Sequence, residues 1–142
     1  MRKLTKYYKL TQPQYTIWLS EHFNNAPINN IVGTMYFNEL IDIDLLKKDI
    51  NIKVKNNDAL RTTLIEQDGD ILQYFDTYNH FDIQVINFVN KSKSDIDKFL
   101  NHFYTFKFDL LNNFLFDFII LILPDNKVCL VGKFHHIIAD AW

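Results

Sequence analysis

The 142-residue chain is 48% apolar and 15% aromatic and carries a net charge of −2. That apolar content excludes a disordered chain, and the length is one domain's worth, enough to bury a core. The charge balance argues against nucleic acid as the main partner, since phosphate binding needs a basic face. The single cysteine, Cys129, excludes an intramolecular disulfide and suits a reducing cytoplasm. The longest apolar stretch, 114–123, contains Asp117 and is too short to span a membrane. The basic start, Met1 to Lys6, leads into polar and aromatic residues, unlike a signal peptide.

In chain order, Thr11 followed by Pro13 predicts a capped helix whose first turn tolerates the missing proline N–H. Tyr15, Trp18, Leu19, His22 and Phe23 recur at helical spacing as its apolar face, with Trp18 read as core packing. Residues 24–30, with Pro27, form a loop, and Ile31 to Phe37 a strand in which Gly33 suggests close backbone approach or a bulge. Asp44 is the expected cap of a second helix with Ile43, Leu46, Ile50 and Val54 inward, and Lys47, Lys48, Lys53 and Lys55 on a solvated outer face. Asp68-Gly69 predicts a hairpin between Leu60–Glu66 and Ile71–Tyr74. Phe81 to Phe88 reads as a strand. Ser94 with Asp97 reads as the start of a third helix, whose stripe is Ile96, Phe99, Leu100 and Phe103. Residues 114–123 and 128–134 form a closing hairpin. Alternating helices and strands followed by clustered strands predict an α+β fold, a mixed sheet with helices packed on it.

The closing hairpin delivers His135-His136-Ile137-Ile138-Ala139-Asp140, at a junction where a rigid strand hands over to a loop. A histidine beside a buried strand is, by residue type alone, more often a satisfied structural group than a catalyst. A shared metal ion is a poor explanation. Adjacent strand residues point to opposite faces, and His22, His80 and His102 are scattered. No G-x-S-x-G elbow supplies a serine nucleophile. A general base or an orienting histidine remains, with Asp140 fixing the loop.

This hexapeptide resembles the HHxxxDG motif of condensation domains in nonribosomal peptide synthetases. Two further stretches resemble that family in the same order. Leu10 to Leu19 is similar to its opening motif, a Ser/Thr-x-x-Gln start leading to an aromatic and Leu. Asn57 to Leu64 is similar to RHExLRTxF, with Leu60-Arg61-Thr62 kept and Asn57-Asp58 where His-Glu is usual. Phe108-Asp109-Leu110 echoes the family's Phe-Asp-Leu.

The resemblance implies a chloramphenicol-acetyltransferase-like lobe. Residues 1–142 would be the N-terminal lobe of a condensation domain, truncated just after HHxxxD and lacking its C-terminal lobe, and so inactive alone. It implies amide-bond formation between substrates held as thioesters on the 4'-phosphopantetheine arms of upstream donor and downstream acceptor carrier proteins, with no cofactor or metal bound in the domain itself. His136 would stand at the reacting atoms, His135 would be its structural neighbour in the catalytic motif, and Asp140 would shape the loop through an ion pair with Arg61. Alternatives under the same resemblance are another HxxxD acyltransferase, an epimerisation domain, or an inactive carrier-docking lobe. A heterocyclisation domain is disfavoured, because it replaces the histidines. Ala141 stands where the family has glycine, which would strain the backbone if φ is positive there.

Overall fold

Strand β7 (Val128–His135) is the centre of the molecule, and its neighbours follow from what its two faces need to bury. The computed structural model describes residues 5–24, 26–39 and 41–140. β7 pairs antiparallel with β2 (Asn30–Phe37) on one side and with β6 (Phe116–Ile122) on the other; β5 (Gln84–Asn87) runs parallel to β6. The order β2-β7-β6-β5 gives the expected mixed sheet. Helix α3 (Lys93–Thr105) covers one face, where Leu100 and Phe103 meet Ile119, Leu121, Cys129 and Val131. Helix α2 (Ile43–Lys55) covers the other, where Ile50 meets Ile120 and Val128.

A second, three-stranded sheet has the order β1 (Tyr8–Lys9), β4 (Asp70–Phe75), β3 (Thr62–Gln67). The β3–β4 hairpin turns at Asp68 and Gly69, both at positive φ, as the sequence predicts. A third apolar cluster joins this sheet to the first through Leu64, Leu115, Phe116, Ile137 and Ile138, with Ile17 and Trp18 of helix α1 (Gln12–Phe23) packed against it. Among the described residues no helix is long and apolar enough to cross a membrane.

Thr11 caps α1 in a reciprocal box with Gln14, but the buried face of this helix is not its apolar stripe. Glu21 is buried and Trp18 packs on the core as expected, while Tyr15, His22 and Phe23 are exposed, Tyr15 and His22 each stacking on the Trp18 ring. The helix is rotated because Gln14 and Glu21 find hydrogen-bonding partners inside that offset their desolvation. Helix α2 is capped by Asp42 rather than Asp44, and α3 by Ser92 in a box with Asp95 rather than by Ser94 with Asp97. In each case an earlier residue of the same chemistry reaches the free N–H groups. Strand β5 is confined to Gln84–Asn87 within the longer run expected.

Gly33 makes neither a bulge nor a close approach: it pairs in continuous register with Gly132, and a Cβ there would meet nothing within 4 Å. The crowded glycine is Gly132, where a Cβ would lie 3.0 Å from Phe134 Cε2 and 3.2 Å from Phe118 Cε1. Gly132→Ala is therefore expected to destabilise the fold by about 1–3 kcal/mol in urea unfolding, as overpacking does, because two edge-to-face rings must move. Gly33→Ala should stay within about 0.5 kcal/mol of the parent. Equal effects at the two sites would contradict this packing.

Candidate active site

The alternation of β7 decides how its last residues are used. Cys129, Val131, Lys133 and His135 share the face toward α3 and are all fully buried. His135 is 0% exposed, and its N–H donates to the Leu115 carbonyl at 2.8 Å. Its Nδ1 accepts from the Ile137 N–H at 3.2 Å, so the ring proton sits on Nε2. That Nε2 faces Glu21 Oε2 at 3.5 Å, too long for a good hydrogen bond, and the Phe108 ring stands edge-on to the imidazole. His135 is thus a buried anchor.

Glu21 is the acidic partner that sequence reasoning does not single out. Asn29 Nδ2 donates to it at 2.7 Å and Lys107 Nζ lies 3.2 Å from its other oxygen. Burial pushes the carboxyl upward, but the bonds from Asn29 and Lys107 and the nearby positive charge hold it below its ordinary value. Lys107 and Lys133 are missed in the same way. Lys133, 1% exposed, donates to the Phe103 and Phe106 carbonyls at 3.1 and 3.2 Å, with the rings of Phe103, Phe106 and Phe108 around its ammonium. No local sequence pattern marks these residues, because their partners lie far away along the chain.

His136 points the opposite way and is exposed. Its N–H donates to the Asn29 carbonyl at 2.8 Å, which ties it to the residue before β2. Its ring Nδ1 lies 3.0 Å from the Ala139 carbonyl. A carbonyl only accepts, so Nδ1 carries the proton and the neutral ring presents an unprotonated Nε2. Residues 136–138 form a turn closed by Ile138 N–H donating to the His135 carbonyl at 3.1 Å, with Ile137 and Ile138 buried in the third cluster. A loop with two buried isoleucines is held by roughly 1.5–3 kcal/mol of burial from each.

The expected Arg61–Asp140 ion pair is not formed. Arg61 spends its donors on the Val54 and Lys55 carbonyls at the end of α2, on the Asp76 carbonyl at 3.0 Å, and on the Asp58 carboxylate. Asp58, which replaces the glutamate usual in the motif, supplies a local counter-ion, so Arg61 has no need of a distant one. Asp140 is exposed, where a carboxylate keeps its hydration. Ala141, the position at which backbone strain is expected if φ is positive, lies outside the described residues.

Burial pushes the His135 imidazole below its ordinary 6.5, and the Glu21 carboxylate offsets only part of this. The unfolded chain therefore binds a proton as pH falls through 6.5 that the folded chain resists, so stability declines below that value until the folded ring itself protonates. Melting temperature is expected to fall between about pH 7 and pH 5, with a shallower slope in His135→Gln. Parallel slopes in the two proteins would contradict a neutral buried His135. Lys133→Met leaves the Phe103 carbonyl at the end of α3 without its side-chain donor, the Phe106 carbonyl keeping Asn30, and should cost about 1–3 kcal/mol in urea unfolding; a wild-type midpoint would contradict its capping role.

The condensation domain family model matches residues 5–142. The chain is 31% identical over 137 residues to a plipastatin synthase of Bacillus subtilis (strain 168), across 94% of this chain and 5% of that protein. It is 28% identical over 148 residues to a surfactin synthase of the same organism, across 94% of this chain and 4% of the other. Among solved structures, the starter condensation domain of rhizomide synthetase matches with a TM-score of 0.87 at 19% identity, over 96% of this chain and 34% of that one. The first condensation domain of the CDA synthetase matches with a TM-score of 0.80 at 11% identity, over 92% and 36%. The chain thus spans about a third of the solved domains and a small fraction of the curated synthetases. With nearly all of its length matched by the family model, the chain belongs to the condensation domain family.

Proposed function

We propose that this chain is the N-terminal lobe of a domain that joins two carrier-tethered substrates through an amide bond. The observation that carries the reading is the opposed pair at the end of β7: His135 buried as an anchor, His136 exposed with Nε2 free. The substrates would arrive as thioesters on phosphopantetheine arms of a donor and an acceptor carrier protein, and a second lobe would complete the channel around them. Holding two tethered reactants together supplies most of the rate.

In the step itself the acceptor's amine nitrogen bonds the donor's thioester carbonyl carbon. The C–S bond breaks and the thiol leaves. His136 Nε2 takes a proton from the amine and can return it to the departing sulfur. The same lone pair orients the amine before attack by accepting its N–H. Asp140 keeps a loop-shaping role in this reading, without Arg61 as its counter-ion.

The test uses the complete two-lobed domain with both carriers loaded. His136→Ala is expected to lower amide formation by about 10²-fold or more, the usual scale for a positioned base. A wild-type rate would remove His136 from the reaction. Transfer from free acyl-CoA with no carrier present would assign the domain to another acyltransferase reaction, and carrier binding without turnover would make it a docking lobe.

A further inference from the structure

The main chain of Ile137 is held from both sides. Its N–H donates to His135 Nδ1 at 3.2 Å, and its carbonyl accepts from Gln14 Nε2 at 3.2 Å. Gln14 is itself locked in place. Its Oε1 accepts from the Thr11 N–H at 2.9 Å, and it exchanges two 2.9 Å amide bonds with Gln73. Glu21, two helical turns further along α1, faces the other nitrogen of His135. Gln14 therefore grips the main chain of Ile137 directly from one side, and His135, with Glu21 beside its far nitrogen, holds it from the other. Only Ile138 separates Ile137 from Ala139, whose carbonyl takes the His136 Nδ1–H.

We propose that Gln14 is a positioning residue for His136: its amide N–H fixes the Ile137 carbonyl, and so keeps the His136 ring in its Nδ1–H form with Nε2 turned to substrate. The substrate clause rests on the function proposed above; the ring geometry does not. The competing role for Gln14 is purely structural, as the third residue of the α1 capping box. Gln14→Glu separates the two. A carboxylate keeps the acceptor side of the box, where glutamate is common, and loses the donor to Ile137 together with the donor to Gln73.

Ring ¹⁵N NMR of the chain reads the His136 tautomer directly. The parent is expected to show a protonated Nδ1, and Gln14→Glu a mixture of tautomers, with some loss of melting temperature from the two missing donations. Thr11→Val removes the side-chain cap and leaves the Ile137 bond, so it should lower the melting temperature without moving the tautomer. In the complete domain, Gln14→Glu should lower kcat about 10-fold or more with the KM for both carriers unchanged, as misplacement of a reacting group does. Gln14→Met also lacks the donor and is read the same way if the carboxylate variant does not fold. An unmoved tautomer in the Gln14 variants overturns the proposal. So does an equal change in Thr11→Val, or a moved tautomer with wild-type kcat in a domain that needs His136. Because the ring measurement needs no turnover, its failure removes this inference alone, whereas full activity of His136→Ala removes the proposed function alone.

Discussion

Strand β7 ends between the two histidines, so His135 keeps the inward face of the strand while His136 opens the turn that leaves it. One ring goes into the core and one to the surface. Each nitrogen is then defined by what it meets. His135 accepts from an N–H through Nδ1, so its proton is on Nε2; His136 gives its Nδ1–H to a carbonyl, so in the neutral ring the lone pair is on Nε2. Two chemically identical side chains, adjacent along the chain, are set in opposite tautomers by backbone groups alone. The buried one holds the turn, and the turn aims the exposed one.

The same economy appears at the ends of the helices, whose last carbonyls lack partners within the helix. Each of the three ends is met by a cation. Lys107 donates to the Glu21 and Asn24 carbonyls of α1, Arg61 to Val54 and Lys55 of α2, and Lys133 to Phe103 and Phe106 around the end of α3. Asn30, at the start of β2, adds donors to the Tyr104 and Phe106 carbonyls. Two of these cations do a second task at the site: Lys107 neutralises Glu21 beside His135, and Lys133 sits one step down the same face of β7. Lys107, which fastens the end of α1, is also the charge that makes the buried Glu21 tolerable.

What the sequence makes legible is local chemistry. The Thr11 cap with its proline, the Asp68-Gly69 hairpin, the inward faces of α2 and α3, and the histidines at a strand mouth all depend on residues within a few positions of one another. Charged side chains whose partners are distant are not legible. The stretch from Glu21 to Lys107 to His135 spans most of the chain, and no period links them. The apolar stripe of α1 misleads for the same reason: burial there is decided by hydrogen-bond partners that belong to other elements. Arg61 is the mirror case, where a family motif suggests a distant carboxylate and a local one, Asp58, is already in contact.

The central claim is that His135 is a neutral anchor whose burial aims His136. The most direct measurement is the pH titration of the His135 Cε1 proton by NMR in the intact chain. The structure predicts a midpoint below 6.5 for this signal, because burial holds the imidazole below that value. A His135 midpoint at or above 6.5 would mean that the ring is hydrated or fully paired with Glu21, and would contradict the account.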